Sequence, residues 1–518
     1  MREVRIVSGA DVAAMYQKAW EAERRARRSE ALELLQGCED WPAPYNEQGL
    51  ILRAEALTLR DPILGLEDLA AHSDAFASNE GRFDYLIASA RAYTNARNFE
   101  GAQEMLDAAA ALLGNGDQRA SKIAYHKTRV LWATRQYNPQ DENFALALRD
   151  GDPAIRFAAL TQRAWMYGGL ENSSSQLEDF VAAFKIFREH GFHCDVTAVA
   201  RTLYAMLQLA FELGDEKAIA AGEEAYEAIE WTSEIQVQRF LAVRALAWHA
   251  YLQGEPGRAQ WLFKTSKDIA PTPAWQVMAH VDRAYVARMN LNEAWAVEEL
   301  YQAHALARAV NWSATKGEER VALMTLAALF ATVDMAQAQR YVSTYIELGP
   351  ESMNPMLAAA HEQRRAVAFE KFAAGRVQAV LGNTNLAVRS LETAYEIFAQ
   401  VQHDYRAALA AQALYELTNN ETWLDVARAH AAKFPKSAIC KRLNESPAQP
   451  KDTALESLTP MQRQFALAYA QGADMEELSK RFSRSKFTLQ AQIETIYKAL
   501  DVNSRASLAN ELSRRGLL

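Results

Sequence analysis

Residues 86–109 read LIASARAYTNARNFEGAQEMLDAA. Leu86, Ala90 and Tyr93 fall at the spacing of one helical face, and Arg97-Asn98-Phe99 makes a short polar turn. Ala102, Leu106 and Ala109 then form a second stripe, whose small residues let two helices approach closely. The stretch is a helical hairpin. The same grammar recurs at Ala247/Ala250, the turn Gly254-Glu255-Pro256-Gly257, Ala259, Phe263 and the terminating Pro271. It returns at Leu326/Leu329, Ala338, Val342 and Pro350. A further copy has the turn Gly382-Asn383-Thr384-Asn385 followed by Ala387, Leu391 and Ala394. Weaker copies centre on Ala31, Leu66, Gln176, Ala218 and Ala296.

The distances between the small-residue positions set the class. From 31 to 66 is 35 residues, 66 to 102 is 36, 218 to 259 is 41, 259 to 296 is 37 and 296 to 338 is 42. Over residues 10–440 the chain resembles the tetratricopeptide repeat family, whose period is about 34 residues with this Tyr, Ala, Phe, Ala, Pro order. The longer periods here imply extended helices or degenerate repeats. Each hairpin buries one face against its neighbours, so the expectation for 1–443 is an all-α tetratricopeptide-like superhelix with a concave groove.

Composition agrees. The chain has 518 residues, half of them hydrophobic and 23% charged, with 22 Gly and 14 Pro, which excludes collagen-like and low-complexity classes. No apolar run approaches the roughly 20 residues of a membrane span. Met1-Arg2-Glu3-Val4-Arg5 has no apolar region behind it, so secretion is not expected. Cys38, Cys194 and Cys440 lie too far apart for a zinc ribbon or a disulfide framework, which suits a reducing cytoplasm. A net charge of −9 argues against a chain that coats nucleic acid with its whole surface.

The periodicity weakens after Pro435, and 444–457, polar and carrying Pro447 and Pro450, reads as a linker. The C-terminal sixty residues differ in kind. Thr459 is a good N-cap, Pro460 suits the first helical position, and Gln462 can close a capping box. Phe465, Ala466, Tyr469 and Ala470 form a stripe that Gly472 ends. A second helix runs from Asp474 to Phe482, burying Met475, Leu478 and Phe482. After the turn Ser483-Arg484-Ser485, a third helix, Lys486 to Leu500, buries Leu489, Ile493, Ile496 and Leu500. A fourth comes after Asn503-Ser504-Arg505, with Leu508 and Leu512 inward. Two helices joined by a short turn and framed by others are helix-turn-helix architecture.

The wording of 458–518 goes further. Leu458-Thr459-Pro460, Ala470-Gln471-Gly472, Glu477-Leu478, Ser485-x-x-Thr488-Leu489, Leu500-Asp501-Val502 and Ser504-Arg505-Ala506-x-Leu508 resemble the LuxR-type DNA-binding domain, collinearly and without gaps. The resemblance implies that Lys486–Leu500 enters the major groove of double-stranded DNA. It implies that Gln490, Ala491 and Glu494 face base edges, and that Thr488, Lys498 and Arg505 approach the backbone or support the groove-facing helix. Arg484, Ser485 and Lys486 complete the candidate DNA-binding set. The chain also departs from the family. Gln490 and Gln492 stand where a basic residue and His are usual, Glu494 where the site is often basic, and Ala499 where Lys is habitual. Arg484 replaces an aliphatic turn residue, and Gln462 and Gln464 replace glutamates. Residues 458–518 carry nine Lys and Arg against six Asp and Glu, a charge of +3, which leaves −12 for the rest. Fewer cations mean fewer counterions released on binding phosphate. Gln490 can still contact adenine bidentately, and Glu494 can accept from cytosine N4.

Little else reads as chemistry. No Gly-x-x-x-x-Gly-Lys-Ser/Thr loop is present, so the nucleotide-binding module of MalT-like regulators is missing. His190, His193, Cys194 and Asp195 crowd one short stretch, but a helix C-terminus favoured by His explains it more simply than a metal site. Arg24-Arg25-Ala26-Arg27-Arg28 reads as a solvated helix face, or less simply as an anion-binding patch. The pairs Glu298-Glu299 and Glu318-Glu319 have no nucleophile near them. Trp231, Trp248, Trp261, Trp275, Trp295 and Trp312 read as inter-helix packing or as an aromatic groove for a peptide, protein tail or small effector. No cofactor, metal or catalytic constellation is expected. The expected function is transcription regulation by a cytoplasmic DNA-binding protein, acting as a dimer, with a protein, peptide or small effector on the repeats. A non-catalytic adaptor with a degenerate helix-turn-helix is the alternative.

Overall fold

The computed structural model describes residues 9–114, 116–170, 172–290, 292–315, 318–331, 333–348, 360–445, 458–482 and 484–514. Every regular element among them is a helix. Most of them pair as antiparallel hairpins in a tetratricopeptide-like stack: Asn79–Asn95 with Phe99–Ala111, Val196–Leu213 with Glu216–Ala228, Gln236–Leu252 with Pro256–Ile269, and Asp404–Thr418 with Glu421–Ala431. In much of the stack the first helix of one hairpin also touches the first helix of the next.

Local chemistry sets the hairpins. In several hairpins the turn uses one left-handed residue, followed by a side chain that caps the second helix. Gly214, at φ 69°, supplies that conformation without a Cβ clash, and Asp215 accepts a hydrogen bond from the Ala218 backbone N–H at 2.9 Å. Arg97, at φ 62°, does the same job less comfortably before Asn98, which caps through the Gly101 N–H at 3.0 Å. The small-residue positions also land where helices meet. Ala31, Ala102, Ala218, Ala259, Ala296, Ala338 and Ala387 are all buried. In the second copy the close approach falls one residue earlier than expected. Gly65, not Leu66, is the buried position, and a Cβ there would meet the Thr58 hydroxyl at 2.0 Å.

The open groove does not survive along the whole chain. One core cluster runs from Ala26 to Leu443 and gathers Phe157, Leu203, Leu246 and Phe263 with Tyr405, Leu409, Phe434 and Ile439. The helix Asp404–Thr418 meets Val196–Leu213, first helix against first helix. His403 Nε2 lies 3.7 Å from the buried Glu212 carboxylate, and its ring lies 6.1 Å from Phe211. The reason is compositional. Tyr405, Ala407, Ala408, Leu409, Ala410, Ala411, Ala413 and Leu414 are all buried, so this helix is apolar around its whole circumference and needs partners on every side. The turn at Gly254 closes the same contact, since a Cβ there would meet the Lys436 carbonyl oxygen at 2.7 Å.

The expected linker begins later than position 444. Asn444 and Glu445 end the helix Ala438–Glu445, where Ile439, Cys440 and Leu443 anchor to the main core, and Asn444 Nδ2 contacts Cys440 Sγ at 3.2 Å. Residues 446–457 lie outside the described residues. The C-terminal helices Pro460–Ala470, Met475–Phe482, Lys486–Leu500 and Arg505–Arg514 pack on one another. Their buried cluster, from Leu458 to Leu512, draws only on residues of this segment.

Candidate nucleic-acid interface

The C-terminal segment is held in shape by caps as well as by its core. Thr459 and Gln462 form the expected capping box, with Thr459 Oγ1 accepting from the Gln462 N–H at 3.2 Å and Gln462 Oε1 accepting from the Thr459 N–H at 2.8 Å. Asp474 accepts from the Glu476 and Glu477 backbone N–H groups, both at 2.8 Å. The Glu477 and Glu476 N–H bonds hold its carboxyl below the usual range. Ser485 caps the third helix through the Thr488 N–H at 3.1 Å, and the two hydroxyls lie 2.8 Å apart. Ser485 and Thr488 therefore start the helix, whatever else they touch.

The third helix divides cleanly. Leu489, Ile493, Ile496 and Leu500 are buried in the local core. Lys486, Thr488, Gln490, Ala491, Glu494 and Lys498 are exposed, as are Arg484 and Ser485 in the turn before it. Gln490, Ala491, Glu494 and Lys498 share one face at helical spacing. Arg505 stands apart. Its guanidinium lies 4.6 Å from the Tyr469 ring centroid, and Nη2 donates to the Ala473 carbonyl at 3.0 Å, so it braces the first and fourth helices. One residue of the exposed face is not singled out by the sequence pattern. Phe487 is 86% exposed, the most uncovered large hydrophobic among the described residues. Its signal is present in the sequence, because 487 lies off the 489/493/496/500 stripe.

The six tryptophans do not form one groove. Trp248 is buried against Phe263, Tyr285 and Tyr405, with the Arg406 guanidinium 5.6 Å from its ring. Trp275 is buried in a second cluster with Phe240 at 5.2 Å. Trp231 and Trp312 each donate an indole N–H to a backbone carbonyl at 3.0 Å, those of Tyr226 and Ala307, and pack on the cores at their edges. Trp295 donates to Glu299 at 3.0 Å. Only Trp261, 63% exposed, faces water, and one ring is no groove. Large apolar rings spaced along paired helices are used to fill the space between hairpins.

The other marked residues are also spoken for. Arg25 and Arg27 pair with Glu230, and Arg28 with Glu234 at 3.1 Å, so the arginine run is a long-range ion network in place of the expected solvated face. Cys194 is buried, and burial pushes its thiol up to about 12. Asp195 caps the helix Val196–Leu213 through the Thr197 N–H at 2.8 Å. His190 Nε2 lies 3.5 Å from Arg156, and the His193 ring lies 5.6 Å from Trp20. Among the described residues no group of three or more His, Cys, Asp or Glu could hold a metal ion. Glu299 is buried between His280 Nδ1 and Arg283 Nη2, both at 2.6 Å. Glu319 lies 3.5 Å from the Thr272 hydroxyl, and the Glu318 side chain lies outside the described residues. No helix among the described residues is long and apolar enough to cross a membrane.

No protein-family model matches the chain, and no curated protein matches it. Among solved structures the chain is similar to the APC/C hetero-tetramer Cut9–Hcn1, at 14% identity, 84% of this chain, 99% of that chain and a TM-score of 0.27. It is also similar to Naa15/Naa10 bound to HypK-THB, at 14% identity, 97% of this chain, 86% of that chain and a TM-score of 0.21. Likeness at this level leaves the function to be argued from the chain's own residues.

Proposed function

We propose that the chain is a DNA-binding regulator of the LuxR type, whose helical repeats receive a protein, peptide or small effector and whose C-terminal four-helix segment contacts duplex DNA. One observation carries the reading. The helix Lys486–Leu500 buries Leu489, Ile493, Ile496 and Leu500 in a core of its own segment and leaves Gln490, Ala491, Glu494 and Lys498 exposed on the side that a groove would meet. Lys486 and Lys498, at its two ends, would neutralise phosphates, and Gln490 would read a base edge. Two copies on one operator would double the phosphate contacts.

A second reading is favoured by Phe487. A largely exposed aromatic two helical turns before Glu494 on a segment of only +3 charge also suits a protein contact, as in an adaptor whose module no longer reads DNA. Duplex binding by the full chain, measured against salt, separates them. Specific binding that weakens steeply with salt is expected for the regulator. Lys486→Ala with Lys498→Ala should flatten the log–log slope by about 0.9 for each phosphate left without its cation. Negligible binding to every duplex at low salt selects the adaptor. Thr488 is left alone in this test because it belongs to the helix cap.

A further inference from the structure

The helices Ser173–His190 and Glu216–Ala228 pack side by side, and their second halves leave a cleft of about 580 Å³. Val181, Phe184, Lys185 and Arg188 line it from one face of the first helix, at spacings of three and four residues. Ala221, Glu224, Ala225 and Ala228 repeat those spacings on the second helix. The alanines explain the opening. Where the first helix carries Val and Phe, the second offers only methyl groups, so the two ridges do not fill the space between them. Phe187 and Val196 complete an apolar floor in which Phe184, Phe187, Val196 and Ala225 are buried.

The rim is charged. Arg188 Nη1 lies 3.3 Å from the Glu224 carboxylate, and both side chains stand well out in water. Arg25, brought from the first hairpin, lies 3.6 Å from Glu230, which Arg27 also holds. Both carboxylates are therefore matched by cations already. Among the described residues Lys185, exposed on the same rim, pairs with no carboxylate. The lining thus carries three cations, Arg25, Lys185 and Arg188, against the two carboxylates of Glu224 and Glu230. In a chain of net charge −9, the excess is one positive charge, and it sits at Lys185.

Volume and charge together select one class of occupant. The cleft falls within the roughly 300–1,000 Å³ typical of small-molecule sites, with an apolar floor and a few polar groups at its edge. A neutral apolar molecule would leave the Lys185 charge unused. A polyanion would meet Glu224 and Glu230 and be repelled. A molecule with one carboxylate and an apolar body avoids both faults, because the body covers the floor and the carboxylate meets the one uncommitted cation.

We propose that this cleft binds a small monocarboxylic acid with an apolar body, its chain against Phe184, Phe187 and Val196 and its carboxylate at Lys185. The position gives binding a consequence. Arg25 and Glu230 line the cleft and also belong to the contact that joins the first hairpin to residues 230–234, where Thr232 Oγ1 donates to the Ala26 carbonyl at 2.9 Å and Arg28 meets Glu234 at 3.1 Å. A bound acid therefore touches the place where distant repeats meet. As the identity of an effector, the proposal rests on the regulator reading; as a binding site it does not, so the test contains no DNA, and either reading can fail without the other.

The test titrates the full-length protein calorimetrically with octanoate and, separately, with octan-1-ol at matched ionic strength. Saturable binding of octanoate, with a rise in melting temperature, is expected. Octan-1-ol keeps the chain and drops the charge, and should bind about fivefold more weakly or worse. Lys185→Glu should weaken octanoate by at least the same factor. Ala221→Phe, which fills the cleft from a partly exposed position, should abolish saturable binding. Lys264→Gln, at an exposed lysine 3.5 Å from Asp268 on another helix, should leave binding unchanged. Ligand-free melting midpoints, expected to match the parent's, verify that the variants fold. The proposal is overturned if octanoate does not saturate, if octan-1-ol binds as tightly, or if either cleft variant binds octanoate as the parent does.

Discussion

Replacing Glu23 by Gln should stabilise the protein at alkaline pH and leave it unchanged at acid pH. Glu23 is 3% exposed, and its nearest cation, Arg24 Nε, is 3.9 Å away, too far for a good hydrogen bond. Burial first, and then the charge of Asp195, push its carboxyl up from 4.5 to about 7, with Arg24 pulling the other way. The folded state therefore holds the proton more tightly than the unfolded one. The resulting stability is fully present below 4.5 and is lost as pH rises through about 7. At about 1.4 kcal/mol per pH unit over that window, the loss is on the order of 3 kcal/mol. Glu23→Gln keeps the shape and cannot ionise. Thermal melts followed by circular dichroism at pH 4 and pH 8 should show equal midpoints at the lower pH, with the variant higher by a few degrees at the upper. A variant less stable than the parent at pH 8 would show that Glu23 works as a paired anion and would refute the reasoning.

Two further outcomes rest on the packing. Gly65→Ala should destabilise by about 1–3 kcal/mol, because its Cβ would meet the Ala54 carbonyl oxygen at 2.9 Å as well as the Thr58 hydroxyl; an unchanged melting midpoint would mean that the two helices can part freely. Phe487→Ser, at a largely uncovered site, should alter stability by less than about 0.5 kcal/mol while changing affinity for DNA or for a protein partner, and unaltered affinity for both would remove Phe487 from either interface.

Helices whose signals are local are legible in the sequence. The capping box at Thr459 and Gln462, the turns at Gly254 and Gly382, and the alanines at 102, 259 and 387 each act within a few residues, so spacing alone exposes them. The buried stripe 489/493/496/500 is legible for the same reason, and its exposed counterpart is obtained by subtraction. Phe487 shows the weak point of that method. Periodicity marks an apolar residue off the stripe but says nothing about what covers it.

The tryptophans and the arginine run are not legible in that way. Trp248 meets Tyr405, Arg27 meets Glu230, and Arg28 meets Glu234, pairs separated by a hundred residues or more that no local period connects. Composition and spacing by themselves settled that the chain is helical and how its hairpins begin and end, because helix propensity, caps and turns are short-range energies. How far the stack curls, which hairpins meet across it and which distant charges pair were decided only in three dimensions. Those outcomes depend on the summed small rotations between successive hairpins and on burial shared by distant segments.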